Sequence, residues 1–339
     1  MANLRKEKRV RFQDSVEVSD GSRQLVREKG KEREVERPSP YSIAVTNRRK
    51  ERSIIDQLSA FGITADNLVI ALDFAVDNRT AGMSSFGGDC LHAVHKGIPN
   101  QYMLSMAIVG HAMSNLSVGR AGRPVFLGFS AADRDVFSLG SGEGCVRYDM
   151  HSGLRRYKQI APYVPLGKPS SYAAPIEAAI EIVEKGGFYL LVVFTCGRNE
   201  EMWTTVTALK KASKYPLSIV FVGVGDGQWR FFQDLRMCLG LDDTPEARTA
   251  LSNTSFVNFR DILAMPRVLR EKEVRLSSAC LHDLPDQYES FVQRGIITAQ
   301  RCKCRRDSCI LLPPDNVLRA EAARRLSCAE PVMAYGPYS

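Results

Sequence analysis

Residues 67–74 read Asn67-Leu-Val-Ile-Ala-Leu-Asp73-Phe74, an apolar run five residues long that ends in a carboxylate. It is too short for a buried helix and shows no alternation, so it reads as a parallel strand covered on both faces. Two stretches repeat the pattern: Tyr189–Thr195 (YLLVVFT) and Leu217–Gly223 (LSIVFVG). Val125–Phe129 and Ser255–Asn258 are shorter versions of it. Helical spacing fills the intervals. Ile54, Ile55, Leu58 and Phe61 share one face, and Gly62 can end that helix. Helices are also expected over Tyr102–Leu116, Leu154–Ile160, Ala173–Lys185, Glu200–Lys214, Phe231–Leu239, Lys272–Leu281 and Gln287–Gln293. Strands alternating with helices around apolar interiors predict an α/β fold with a doubly wound, mostly parallel sheet and helices on both faces.

The charge does not follow the fold. The chain has 339 residues and a formal net charge of +8. Residues 1–52 hold 15 basic and 9 acidic residues, and 298–339 hold 7 and 4, which leaves 24 and 25 for 53–297. A neutral middle between basic ends argues against a phosphate-gripping domain and against sequence-specific nucleic-acid binding. The expected organisation is a disordered basic arm over 1–52, one α/β domain over 53–297, and a poorly ordered Cys/Arg/Pro-rich tail over 298–339. Met1–Val10 (MANLRKEKRV) lacks the apolar segment of a secretory signal, and no lipidation box is seen. The longest apolar run, Phe188–Phe194, is far short of the ~20 residues that span a bilayer. Nine cysteines at irregular spacing fit reduced thiols, so a cytoplasmic and/or nuclear location is expected.

In an open α/β sheet, ligands sit beyond the carboxyl ends of the strands. Asp73-Phe-Ala-Val-Asp77-Asn78 follows the first strand, Thr195-Cys196-Gly197 follows the second long strand, and Gly223-Val-Gly-Asp226-Gly-Gln-Trp229 follows the third. Ser170 and Ser171 precede the 173–185 helix. Together with SYAAPIEAAI (171–180), YPLSIVFVGVGDGQW (215–229), FVNF (256–259) and LHDLPDQYESFVQRGII (281–297), this order resembles the von Willebrand factor A-type domain of the copine family, which plant RING ubiquitin ligases share. The resemblance spans roughly 54–297 and implies a role in binding other proteins.

The same resemblance implies a metal-ion-dependent adhesion site, in which oxygen donors hold a hard divalent cation and leave one position open for a partner. Asp73 matches the first carboxylate of the Asp-x-Ser/Thr-x-Ser pattern. Ala75 stands for the first hydroxyl, Asp77 for the second, Ser170 for a threonine and Cys196 for a later aspartate. A methyl and a soft thiol in place of oxygen predict a degraded site. No cofactor is certain, and at most weak Mg²⁺ or Mn²⁺ through Asp73, Asp77 and Ser170 is expected. The loops bearing Asn78, Ser171, Cys196, Asp226 and Trp229 are the expected partner surface, with Asp226 capping the next helix and Trp229 packing beneath it. The two calcium-binding C2 domains of copines have no room in 52 preceding residues, so calcium-driven membrane docking is not expected.

The other motifs are weaker. The glycine loop 223–227 lacks both the dinucleotide fingerprint and the Gly-Lys-Ser/Thr of a P-loop. Cys90, His92 and His95 have no second ligand pair nearby. Cys302, Cys304, Cys309 and Cys328 do not have RING spacing. A ligase activity is thus a resemblance only, and no catalytic nucleophile–base arrangement is recognisable. Lys8-Arg9-Val10-Arg11-Phe12 resembles the docking peptide of type-1 protein phosphatase partners. Val10 and Phe12 alternate onto one side of an extended strand, where they could fill two apolar pockets. Protein partners are therefore expected, with type-1 protein phosphatase and the ubiquitin machinery as named candidates.

Overall fold

The computed structural model describes residues 24–28, 31–35, 53–116, 122–140, 146–168, 171–197, 200–227, 229–297 and 312–327. The chain divides into two units, 1–46 and 47–339. In the first, β1 (Gln24–Glu28) and β2 (Lys31–Val35) form an antiparallel hairpin within the stretch expected to lack regular structure. The register places Arg27 opposite Glu32 and Glu28 opposite Lys31.

In the second unit, α1 (53–60) leads into β3 (Leu68–Asp73). Then come α2 (Gln101–Ser114), β4 (Val125–Ala131), β5 (Arg134–Ser138), α3 (Met150–Ile160), α4 (Ala173–Val183), β6 (Tyr189–Thr195) and α5 (Met202–Ala212). They are followed by β7 (Leu217–Gly223), α6 (Arg230–Leu241), α7 (Pro245–Ser252), β8 (Thr254–Asn258), α8 (Phe259–Ala264), α9 (Leu269–Leu281), α10 (Leu284–Gln293) and α11 (Asp315–Ser327). The sheet order is β5-β4-β3-β6-β7-β8, parallel except for the β4–β5 hairpin at one edge. This is the doubly wound α/β architecture expected from the apolar runs.

Every residue of β3, β4, β6 and β7 is buried. Alternate side chains enter two separate cores. Leu68, Ile70 and Leu72 of β3 join Leu190, Val192 and Phe194 of β6 in one, against α1, α2, α3, α9 and α10. Val69 and Ala71 join Leu191, Val193, Ile219 and Phe221 in the other, against α4, α5, α6 and α7. Winding runs outward from β3 to β4 and then reverses to β6, so the crevice between β3 and β6 lies at the topological switch point.

The tail read as poorly ordered contains α11. Val317 is buried in the first core, and Glu321 forms an ion pair with Arg156 of α3. The sequence of α11, DNVLRAEAARRLS, is charged on most sides and carries no clear apolar stripe, so periodicity does not reveal the helix. Among the described residues, no helix is long and apolar enough to cross a membrane.

Candidate functional site

β3 delivers Asp73 to the switch point, where it is 1% exposed. Its Oδ1 accepts the Ala75 N–H at 2.9 Å and its Oδ2 accepts the Thr195 hydroxyl at 2.7 Å. The Asp73 carbonyl is closed off as well, by His92 Nε2 at 2.8 Å, Asn78 Nδ2 at 2.9 Å and Tyr102 at 3.1 Å. A carbonyl brings no proton, so His92 carries its hydrogen on Nε2, and Nδ1 accepts from the Tyr157 hydroxyl at 2.8 Å. The imidazole is stacked between Phe74 and Tyr102, with ring centroids 4.3 and 4.4 Å away.

Burial dominates the titration of both groups. It raises Asp73 to about 6 against the hydrogen bonds from Thr195, Ala75 and Cys196, with the Asp77 charge adding a smaller upward push. It lowers His92 to about 4, opposed by the bond to the Asp73 carbonyl.

Above this buried group lies an open cleft of about 710 Å³ formed by residues that follow β3, β6 and β7. Asp77, Cys196, Gly197, Asp226 and Phe231 line it, and Asp73 does not. Cys196 is 2% exposed and sits in the floor. Asp226 does not cap the following helix. Its Oδ2 accepts the N–H groups of Ser84 and Ser85, and Arg260 lies 3.4 Å from its Oδ1. Those bonds hold the long loop after β3 against the loop after β7.

Trp229 precedes α6 and lays its ring over the backbone of the neighbouring loops. A Cβ on Gly197 or Gly223 would strike its ring, and Gly197 also has φ +92°, so glycine is required there. Two expected partner-facing residues turn inward. Asn78 is fully buried and bonds Asp73, Ala75 and Tyr102. Ser171 is buried, with its Oγ accepting the Ala173 N–H at the start of α4. Short polar side chains in a tight loop satisfy nearby backbone before they reach solvent. Ser170, Val10, Phe12 and the cysteines after 297 lie outside the described residues.

The family model for Copine matches residues 90–300, well over half of the chain. The chain belongs to the copine family. It is similar to two Arabidopsis thaliana proteins, E3 ubiquitin-protein ligase RGLG2 (32% identity over 72% of this chain) and E3 ubiquitin-protein ligase RGLG5 (31% over 81%). It spans 53% and 64% of their lengths. Among solved structures it is similar to the von Willebrand factor type A protein from Catenulispora acidiphila. That match has 10% identity, covers 65% of this chain and 42% of that one, and has a TM-score of 0.36.

The copine match begins beyond the Asp73–Asp77 loop, so that loop has to be judged on its own donors. Those among the described residues do not fit a hard divalent cation. Both Asp73 oxygens are taken by internal donors, Ala75 offers a methyl, and Cys196 offers sulfur. Among the described residues no group of three His, Cys, Asp or Glu could hold a metal. This applies equally to Cys90, His92 and His95: His92 is enclosed in its stack, and His95 pairs with Asp89 at 2.9 Å.

Thr195, Tyr172, Tyr102 and His92 hold this part of the domain together, and no sequence motif marks them for that role. Their roles depend on contacts such as those of Thr195, whose partners lie 23 and 122 residues away, and no local pattern displays them. Trp203 is likewise unmarked in the sequence; it is 71% exposed at the start of α5 and next in sequence to the cleft-lining Met202.

Proposed function

We propose that this chain is a protein-interaction module of the copine type, not itself an enzyme, acting in the cytoplasm and/or nucleus. Its partner surface is the rim of the carboxyl-edge cleft. The observation that carries this reading is Trp203, a large aromatic left in solvent and next in sequence to Met202, which lines the cleft with Phe231. Exposed aromatics next to concave sites are the usual anchors of interfaces. The module is taken as 53–297 extended by α11, with the charged stretches 1–52 and 298–314 flanking it. Trp203→Ala is expected to leave the thermal midpoint within about 2 °C, because the side chain packs little. It should reduce capture of cross-linked partners by about tenfold or more. Equal capture by both proteins would remove the cleft as the partner surface.

The similarity to proteins named E3 ubiquitin-protein ligases supports a second reading, an accessory role in ubiquitin transfer. With purified E1 and E2 enzymes, that role predicts ubiquitin conjugation that disappears in Cys302→Ser/Cys304→Ser/Cys309→Ser. Conjugation unaffected by those changes, or absent from the start, removes the reading. A phosphatase-docking role rests on Val10 and Phe12 alone, and equal recovery of type-1 phosphatase by Val10→Ala/Phe12→Ala would end it.

A further inference from the structure

We propose that Thr195 takes the place of a metal ion in this chain. The hydrogen-bonded path Tyr172–Thr195–Asp73 ties the carboxyl-edge loops together and makes the partner surface independent of divalent cations. This deepens the interaction reading by stating how its surface is held.

The direction of the path follows from proton counting. Thr195 has one hydroxyl hydrogen, and the Asp73 carboxylate 2.7 Å away can only accept it. The Thr195 oxygen is then left with two lone pairs. One accepts the Tyr172 hydroxyl at 2.9 Å and the other accepts the Gly197 N–H at 3.0 Å. Every hydrogen-bonding position on the Thr195 hydroxyl is therefore filled. The path joins the end of β3 to the end of β6 and to the start of α4. Tyr172 is in turn fixed to α5, since its N–H donates to Thr205 Oγ1 at 3.1 Å.

An ion holds such loops by gathering their oxygens around one positive charge. Here the buried negative charge of Asp73 is met by donors instead: the Thr195 hydroxyl, the Ala75 N–H and, at 3.9 Å, the Cys196 thiol. A cation entering the cleft meets Asp77 and the Cys196 sulfur but finds Asp73 beneath the floor. To reach it, the ion would have to displace the Thr195 proton donor and then sit beside the Ala75 methyl.

Two measurements on the full chain test this. Mn²⁺ titration, followed by loss of the free-ion electron paramagnetic resonance signal, should show no binding below about 1 mM, the weak end for oxygen-built sites. Ala75→Ser/Cys196→Asp/Thr195→Val adds two oxygen donors beside Asp77 and removes the donor that occupies Asp73, and it should gain Mn²⁺ binding below that concentration. Thr195→Val keeps the side-chain shape but removes the path. It should lower the thermal midpoint by about 3–10 °C, with no rescue by Mn²⁺, while Thr195→Ser stays near wild type.

Wild-type Mn²⁺ binding that is lost in Asp73→Ala would overturn the proposal. So would a Thr195→Val protein as stable as wild type, or a folded triple variant that still ignores Mn²⁺. None of these measurements involves a partner. Their failure leaves the interaction module standing, and a failure of the Trp203 capture experiment leaves this proposal standing.

Discussion

Asp73 and His92 are buried side by side, and their titrations oppose each other. The folded-state value of Asp73 is raised from 3.8 to about 6. Its proton therefore binds the folded protein more tightly, and the resulting stability is complete below about 4 and lost as pH rises through 6. His92 is lowered from 6.5 to about 4. Its stability is complete above 6.5 and is lost as pH falls toward 4, because the unfolded chain takes up the proton first. Each shift amounts to about 3 kcal/mol, so the two nearly cancel across the same window. Wild-type unfolding free energy should accordingly show little net slope from this pair between pH 4 and 6.5. Relative to wild type, Asp73→Asn should lose stability as pH falls through that window, and His92→Phe should gain it. Urea denaturation at half-unit pH steps checks this, and parallel curves for the two variants would contradict it. At this scale the sequence identifies Asp73, because a carboxylate closing an apolar strand stands out. The partners that set its behaviour do not stand out, since a Thr after a strand and a Tyr before a helix are common residues.

At the scale of elements, the strands with unbroken apolar runs were legible, and the pieces that depend on partners were not. β5 (RDVFS) is a half-exposed antiparallel edge strand, and its five residues carry no run long enough to detect. α7 was readable in retrospect from its cap. Thr244 accepts the Ala247 N–H and Pro245 opens the helix, a start signal that the short apolar content hid. α11 depends on Arg156, whose Nε donates to the Leu139 carbonyl while its guanidinium pairs with Glu321. The two side chains are only 10% and 14% exposed. Removing one partner of a buried pair leaves the other charge uncompensated, so Glu321→Ala should cost about 3 kcal/mol. Arg156→Met/Glu321→Leu, which removes both charges, should cost less than Glu321→Ala alone. Chemical denaturation of the two variants decides this, and a double variant weaker than the single would mean that the pair itself stabilises α11.

At the scale of the whole molecule, residues 53–297 are near neutral and the stretches on either side of them are basic. The apolar runs then sufficed to specify a doubly wound sheet. Sequence alone did not show how stability is graded across that sheet. β6 lies between two parallel partners and faces a core on each side, as does β3. β5 and β8 are edges with partly exposed residues. Among its described side chains, α11 enters the core through Val317. Local opening follows the amount of buried apolar contact that must be broken, so amide exchange should be fastest in α11, intermediate in β5 and β8, and slowest in β3, β6 and β7. The carboxyl-edge loops grow out of the slowest group. Thr195 ends β6 and Asp73 ends β3, so the bond between them should open only when the central strands open. The Ala75 N–H donates to Asp73 and should share that slow exchange although it lies outside any strand. Native-state hydrogen exchange read by mass spectrometry tests the order. If the peptide containing Ala75 exchanged as fast as α11, the loop would not be held by the sheet, and the cleft would not be a preformed surface on which a partner binds without an ordering cost.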